Sequence, residues 1–186
     1  MLKATVLFTF LLASAKIGWT HEKFTYRIDE GNLIGAKLNT EPFIPIYNGY
    51  YYFGRESLNW YEAYEKCRQF NSELVTFETD EEFDAVSNYL MSVEGRGNFW
   101  TSGNDLAQRA SHRWFTSGEK ITSQRWAPNQ PDNHSQIENC VHMGFISPYS
   151  ERYELNDRPC SHDSNSLFKY ICEAPKIQTI SIVVWK

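Results

Sequence analysis

The sequence predicts one α+β domain in which two helices precede a long series of short strands and loops. Between residues 59 and 90 two segments place apolar residues at helical spacing, whereas no helical period persists after Trp100. The 186 residues are 41% hydrophobic and include four cysteines, enough for a single core that disulfides can reinforce. We therefore expect one compact unit with a long loop region.

The N-terminal residues have the layout of an export signal. Lys3 precedes an apolar run over residues 4–13, and Ala13-Ser14-Ala15 forms a small-x-small cleavage site. The alternative is a buried strand, but the run stands at the N-terminus and is too short to span a bilayer. We expect residues 1–15 to be a signal peptide of a secreted protein without a membrane span, and residues 16–45 to form an irregular lead-in.

One strand and two helices are predicted in the first half of the domain. An Asn-Gly turn and an aromatic run over residues 47–53 are typical of a strand entry. The first helix begins after Asn59, which forms a capping box with Glu62. The second begins at Thr79, followed by acidic residues that favour a helix N-terminus. The expected buried residues are Trp60, Ala63, Tyr64 and Cys67 in the first helix, and Phe83, Val86 and Leu90 in the second.

The second half of the chain is rich in Gly, Asn, Asp, Ser and Pro, and its apolar runs are short. Trp114-Phe115 and Gln124–Trp126 are predicted to be short strands. A loop region of this length needs disulfides, a metal ion or both to hold it. Residues 175–186 form a β-prone tail, which either pairs with a partner in a non-covalent homo-oligomer or packs on its own domain.

Charge and cysteine spacing exclude several classes of protein. A net charge of −5 leaves no basic patch for phosphates, so nucleic acid is not an expected partner. No C-x-x-C spacing occurs, which argues against a zinc knuckle or a redox pair. In an exported protein the four cysteines are expected to form two disulfides, with three pairings open. No motif of a serine hydrolase or a zinc protease is present, and no enzyme is predicted.

Oxygen-bearing side chains recur close to the cysteines of the second half. The tripeptide Gln130-Pro131-Asp132 is followed by Glu138, two residues before Cys140, and by Asn156-Asp157, three residues before Cys160. Carboxylate and amide oxygens are the ligands that Ca²⁺ prefers. The predicted metal ligands are Gln130, Asp132, Glu138, Asn156 and Asp157. Alone, the tripeptide would indicate no more than a turn.

This constellation resembles the carbohydrate-recognition domain of the C-type lectin family. The helix at Trp60–Cys67, the tetrapeptide Trp100–Gly103 and Cys172-Glu173 also stand where that family has its first helix, a core tetrapeptide and its last cysteine. The resemblance covers about residues 45–173, and we place the domain at residues 46–174.

The resemblance implies a specific fold. It consists of two helices, antiparallel sheets and a long calcium-binding loop, with disulfides Cys67–Cys172 and Cys140–Cys160 and a cis peptide before Pro131. The second bridge would fix Glu138 against Asn156 and Asp157, so it would support the binding site as well as the fold.

The resemblance also implies a ligand. Members that bind mannose carry Glu-Pro-Asn at this position, and members that bind galactose carry Gln-Pro-Asp, as this chain does. The expected ligands are galactose-containing glycans on cell or microbial surfaces, as for the secreted galactose-specific lectins of insects. The metal ligands and His134 would contact the sugar. Recognition and agglutination would be the biological role.

Two tyrosines are candidates for the aromatic surface that would stack on the sugar. His134 stands where galactose-binding members often carry a Trp that stacks on the sugar. Tyr149 and Tyr153, in the unusually long stretch from Glu138 to Asn156, are the candidates to replace it. A plain packing role is the alternative for each.

Two further features bear on the site. Asp105 and Asn133 could serve an auxiliary calcium site, but Arg109 stands where an acid is expected, so we predict one ion. Asn133-His134-Ser135 is a glycosylation sequon. We interpret it as unused, because a glycan there would crowd the sugar site.

The alternative function is a C-type-lectin-like domain that binds a protein surface, with calcium structural or absent. The complete set of five oxygen ligands argues against it, since a domain released from sugar binding would be free to lose any of them.

Overall fold

A computed structural model describes residues 40–161 and 166–176. In this range two helices pack on one eight-stranded sheet. The predicted signal peptide, the lead-in before residue 40 and the tail after residue 176 lie outside the described residues. The elements are β1 (Ile44–Ile46), β2 (Gly49–Leu58), α1 (Trp60–Gln69), β3 (Glu73–Leu74), α2 (Asp80–Val93), β4 (Asn98–Asn104), β5 (Arg113–Trp114), a 3₁₀ turn (His134–Gln136), β6 (Cys140–Gly144), β7 (Glu154–Arg158) and β8 (Phe168–Glu173).

The sheet runs in the order β1-β2-β8-β4-β6-β7, with β3 paired to β8 and β5 to β4. All pairs are antiparallel except β4 and β8, where Phe99 lies opposite Lys169 and Trp100 opposite Tyr170. The predicted α+β fold with two helices is confirmed. β1 begins at Ile44, two residues before the expected start of the domain.

Both helices begin where their caps predict. Asn59 Oδ1 accepts the backbone N–H of Glu62 at 3.0 Å, and Glu62 Oε2 accepts the N–H of Asn59 at 3.1 Å. In α2, Thr79 Oγ1 accepts the N–H of Glu82 at 3.2 Å. These side chains satisfy N–H groups that have no partner within the helix, so the local sequence alone fixes both starts.

The predicted core residues are buried, with one exception. Tyr64 is only half-buried, and its ring stacks on Trp60 with centroids 5.8 Å apart. Two tryptophans connect these elements. Trp60 Nε1 of α1 donates to Thr101 O of β4, and Trp100 Nε1 of β4 donates to Leu58 O at the end of β2, both at 2.8 Å. Buried indoles usually find such a partner.

The implied disulfides are confirmed. Cys67–Cys172 joins α1 to β8, and Cys140–Cys160 joins the start of β6 to the segment after β7. In the chain-entropy treatment, bridges that close loops of these lengths stabilise the fold by roughly 4.7 and 3 kcal/mol. The Cys160 carbonyl also accepts the N–H of Trp60 at 3.0 Å, which connects the second bridge to α1.

One predicted strand is wrong. Gln124–Trp126 forms no strand, and only Trp126 makes an isolated bridge, with Leu155. The Arg125 side chain is instead held by acids of α2, with Arg125 Nε 2.7 Å from Asp84 Oδ1. Since the segment meets one residue of β7 on one side and a helix on the other, no ladder can form. The other prediction, at Trp114-Phe115, corresponds to β5, which ends at Trp114.

Two acids, the buried Glu82 and the half-buried Glu173, lie where α2 meets β2 and β8. Tyr51 Oη donates to Glu82 Oε1 at 2.5 Å, and Glu173 Oε2 accepts the N–H of Thr76 at 3.1 Å. Burial, together with the nearby carboxylate of Glu82, raises the pKa of Glu173 from 4.5 to about 7. Glu173 therefore binds a proton more tightly in the folded state than in the unfolded state.

The raised pKa predicts a pH-dependent stability. Between about pH 4.5 and 7 the native state binds more protons than the unfolded state, so the free energy of unfolding falls as the pH rises through this window. Glu173→Gln should remove that fall and exceed the wild type at pH 8 by roughly 1–3 kcal/mol. Urea unfolding at several pH values measures this. Glu65→Gln, at an exposed position of α1, is the control, and an unchanged slope in Glu173→Gln would contradict the assignment.

Candidate functional site

The long loop between β5 and β6 carries the tripeptide and is anchored at two points. The Leu155 N–H donates to Arg125 O at 2.7 Å, and the Ala127 N–H donates to Leu155 O at 2.9 Å. The Gln130 N–H donates to Ala127 O at 3.0 Å and closes a turn. These bonds bring the tripeptide beside β7, so two distant stretches of sequence meet there.

Asp157 is the centre of the site. It lies in β7 opposite Val141 of β6 and is fully buried. Its Oδ1 accepts the N–H of Asp132 at 3.2 Å, and its Oδ2 accepts the N–H of Asn133 at 2.8 Å. A side chain rooted in the sheet thus fixes the backbone just after the tripeptide.

Glu138 approaches from the other side of the loop and is 4% exposed. Its Oε2 accepts the N–H of His134 at 3.2 Å, while its own N–H donates to Asn133 Oδ1 at 3.1 Å. Arg158 Nη1 lies 3.1 Å from Glu138 Oε1 and forms an ion pair. The loop between residues 133 and 138 is therefore closed by reciprocal bonds.

Three carboxylates converge as a result. One oxygen from each of Asp132, Glu138 and Asp157 lies within 4.8 Å of the others, with Asp132 exposed and the other two buried. Among the described residues, Arg158 is the cation paired with this group. Three negative charges less one positive charge leave two, the charge of a single divalent cation.

The electrostatics of Glu138 reflect this crowding. Burial raises the pKa of Glu138 above its ordinary value, and the Asp157 carboxylate adds to the rise, while Arg158 opposes it. The ionised form of Glu138 is therefore disfavoured by the protein alone, and a cation in the cluster would favour it.

The tripeptide has the geometry that the resemblance implies. The Gln130–Pro131 peptide is cis, and Gln130 Oε1 accepts the N–H of Asp132 at 3.0 Å. The side-chain oxygens of Gln130 and Asp132 add to the two buried acids, so the donor set is one that suits a hard cation such as Ca²⁺.

Asn156 has a different environment from the other predicted ligands. Its Nδ2 lies 3.4 Å from His142 Nε2, and neighbouring side chains of a strand point to opposite faces. Its buried Oδ1 has no hydrogen-bond partner, as would suit a ligand oxygen, although buried polar atoms are normally paired. The hydrogen bonds that join the acid cluster do not include Asn156, and its ligand role stays a prediction.

His134 and Asn133 lie on the loop itself. The N–H of His134 donates to Asp132 Oδ1 at 3.1 Å as well as to Glu138, and its ring is on the exposed side of the loop. Asn133 has a left-handed backbone with φ of 45°, and its side-chain oxygen is already bonded to the Glu138 N–H. Whether the sequon at Asn133 is used stays a prediction.

The two tyrosines have opposite environments. Tyr153 is buried, and its Oη donates to Gly95 O at 2.7 Å, so it has the packing role. Tyr149 is 91% exposed in the loop between β6 and β7. That loop begins after the paired residues Gly144 of β6 and Glu154 of β7. Along β7, Glu154 is three residues, or about 10 Å, from Asp157, so the loop starts at that distance from the acid cluster.

The candidates for an auxiliary ion have protein partners. Asp105 Oδ1 accepts from Asn139 Nδ2, and Asp105 Oδ2 accepts the N–H of Ala110, both at 2.7 Å. Arg109 Nη2 donates to Gln136 Oε1 at 3.3 Å. Asp105 thus shapes the turn after β4, and the number of ions stays a prediction.

Sequence reasoning missed two residues. Arg158 follows Asp157 directly, but nothing in the sequence indicates that it pairs with Glu138. His142 has no signal in the sequence that relates it to the site, and it is buried between Trp100 and Phe168. Burial lowers the pKa of His142 to about 3, so the imidazole beside Asn156 is neutral.

Sequence comparison relates this chain to known domains. The profile of the lectin C-type domain matches residues 56–174. C-type lectin 37Da of Drosophila melanogaster is 50% identical over 186 residues, which is all of both chains. The alpha-N-acetylgalactosamine-specific lectin of Patiria pectinifera is 32% identical over 140 residues, 71% of this chain and 78% of that one.

Structural comparison agrees at the level of the fold. The C-type lectin CEL-I from Cucumaria echinata superposes with a TM-score of 0.62 at 21% identity, covering 74% of this chain and 97% of that one. In residues 40–161 and 166–176, neither helix combines the length and hydrophobicity that crossing a bilayer requires.

The crowded acids predict that Glu138 lowers stability when no cation is present. In chelator at neutral pH, Glu138→Gln should leave the free energy of unfolding equal to that of the wild type or raise it by up to about 1 kcal/mol, because Arg158 already offsets part of the repulsion. Thermal unfolding of the two proteins side by side measures this. A marked loss of stability in Glu138→Gln would mean that Glu138 is chiefly structural.

Proposed function

This chain belongs to the C-type lectin domain family, and on that premise we propose that it is a secreted, calcium-dependent lectin that binds galactose-type glycans and is not an enzyme. The observation that carries the proposal is the convergence of Asp132, Glu138 and Asp157 within 4.8 Å beside the Gln-Pro-Asp tripeptide. Like charges this close are costly unless a cation joins them.

Five residues would hold the ion: Gln130, Asp132, Glu138, Asn156 and Asp157. When bound, Ca²⁺ takes six to eight oxygen ligands and so leaves room for two neighbouring hydroxyls of a sugar. The carboxylates accept hydrogen bonds from those hydroxyls, and the amides of Gln130 and Asn156 donate to them. Because the site is open and formed by oxygens alone, we expect a dissociation constant for Ca²⁺ of about 10⁻⁴–10⁻³ M, as in extracellular modules.

The preference for galactose rests on the order of acid and amide in the tripeptide. Gln130 donates on one side of the diol and Asp132 accepts on the other, which suits the 3-hydroxyl and the axial 4-hydroxyl of galactose. The relative from Patiria pectinifera, named for alpha-N-acetylgalactosamine, supports this class of sugar. His134 offers a small polar ring beside the site instead of a large stacking surface.

The proposed role is recognition of glycans on cell or microbial surfaces. Agglutination needs two or more sites in one particle, so it would require a non-covalent oligomer, because the two disulfides use all four cysteines. The signal peptide predicted over residues 1–15 supports secretion of the mature protein.

Calcium dependence is tested by retention on galactose resin. The protein should be retained with Ca²⁺ at neutral pH and released by EDTA, because the two sugar hydroxyls would be bound through the ion. Glu138→Gln, which removes one charge from the cluster, should lose retention at least tenfold while its disulfides and fold remain. Retention that persists in excess EDTA would refute the proposal, and the protein-binding alternative would then be favoured.

Sugar choice is tested by exchanging acid and amide. The double variant Gln130→Glu and Asp132→Asn keeps the charge and the number of ligand oxygens, so it should still require calcium. Its preference should move from galactose toward mannose by roughly tenfold or more, since each unmatched polar contact costs about 1–3 kcal/mol. Competition by the two free sugars against immobilised glycan measures the shift. An unchanged order of inhibition would show that the tripeptide does not set the specificity.

A further inference from the structure

A second cleft adjoins the proposed sugar site. It has a volume of about 260 Å³, and Pro131 of the tripeptide forms part of its wall. The rest of the wall comes from the turn before β5 and from the segment that leads to the tripeptide: Ala110, Ser111, His112, Lys120, Ile121, Thr122 and Trp126. Because clefts for drug-sized ligands start at about 300 Å³, this one suits a single sugar residue or substituent.

The cleft is built on ordered contacts. The Ile121 N–H donates to His112 O at 3.0 Å, and the His112 ring packs edge-on to Trp126 with centroids 5.4 Å apart. Trp126 is held in turn by its bridge to Leu155. The buried Nε2 of His112 has no hydrogen-bond partner, although such atoms are normally paired.

The charge of the cleft distinguishes it from other clefts of the molecule. A larger cleft over Phe77 and Trp114 is lined by Glu78, Asp80, Glu81 and Glu119 as well as Lys120. Another beside Tyr52 contains two acids and two cations, Glu56, Glu94, Arg55 and Lys66. The cleft at Pro131 is lined by no carboxylate, and Lys120 lies in its wall. Lys120 also borders the neighbouring cleft over Phe77 and Trp114. Within the described chain, no carboxylate lies within 4.0 Å of the Lys120 ammonium. Although the net charge of the protein is −5, the charged side chain in this wall is therefore a positive one.

We propose that this cleft is a subsite for an anionic group, a sulfate or a carboxylate, carried by a galactose-type glycan. The inference rests on the proposed function, because Pro131 connects the cleft to the site of the first sugar. Lys120 supplies the charge, and the hydroxyls of Ser111 and Thr122 are available for hydrogen bonds to the anion. The ring of Trp126 offers an apolar surface to the sugar that carries the anion. The subsite would select among galactose-bearing glycans by what is attached to the galactose.

The test compares neutral and anionic forms of one ligand in the presence of calcium. The probes are lactose, lactose with a sulfate on the 6-hydroxyl of galactose, and lactose with sialic acid on that hydroxyl, since the 3- and 4-hydroxyls would face the ion. We expect at least one anionic form to bind about three- to fivefold more tightly than lactose, as is typical of an exposed ion pair. Raising the salt concentration should shrink that advantage.

Three variants locate the effect. Lys120→Gln should abolish the advantage and leave the affinity for lactose unchanged, and Thr122→Tyr should do the same by narrowing the cleft. Lys66→Gln, which removes the same charge from α1, where Lys66 pairs with Glu56, should keep the advantage. The arm that gains affinity identifies the anion as sulfate, carboxylate or either.

The outcomes separate this inference from the proposed function. If lactose binds with calcium but neither anionic form binds more tightly, or if the advantage survives Lys120→Gln, the subsite is refuted and the lectin function stands. If no form of lactose binds with calcium, both are refuted.

Discussion

Three carboxylates held within 4.8 Å of one another are the constraint that organises the functional half of this molecule. Such a group repels itself, so each acid has to be fixed by something other than its neighbours. Asp157 is fixed by the sheet, Glu138 by Arg158 and the loop, and the Asp132 carboxylate by the backbone N–H of His134. The three carboxylates would move apart if they were free. The fold of the loop between β5 and β6 is therefore set by the contacts that hold them together.

The rest of the fold supplies the rigidity that this arrangement needs. The aromatic core, two capped helices and the Cys67–Cys172 bridge hold the sheet together. The sheet then presents β7 as the fixed edge against which the loop is hung through Leu155 and Asp157. The Cys140–Cys160 bridge joins the start of β6 to the segment just after β7. This one disulfide therefore contributes both to the stability of the fold and to the geometry of the site.

Much of the fold could be predicted from the sequence because its signals are local. Asn59 with Glu62, and Thr79 with Glu82, specify helix starts within four residues. The disulfide pairing and the cis peptide before Pro131 came from a resemblance and not from the residues alone. What could not be predicted depends on partners distant in sequence. Gln124–Trp126 has the composition of a strand but meets only one residue of β7.

The site, like the fold, could be predicted only as far as its signals are local in sequence. Spacing to the cysteines identifies the acids that gather, but Arg158, the cation beside them, has no local signal. Asn156 shows the converse, since its position in a motif predicts a ligand while strand alternation places its amide against His142. Tyr149 and Tyr153, similar in sequence context, differ in exposure because only one reaches the core.

The Cys67–Cys172 bridge has a mechanical consequence. Tension applied through the two ends of the domain would run along residues 40–67, cross the disulfide, and leave through residues 172–176. Residues 68–171 form a covalently closed loop outside that path, and the tripeptide, Glu138 and Asp157 all lie within it. A domain pulled between a surface and a neighbouring molecule would therefore lose its first strands, while the chain segment that carries the acids would bear no direct tension.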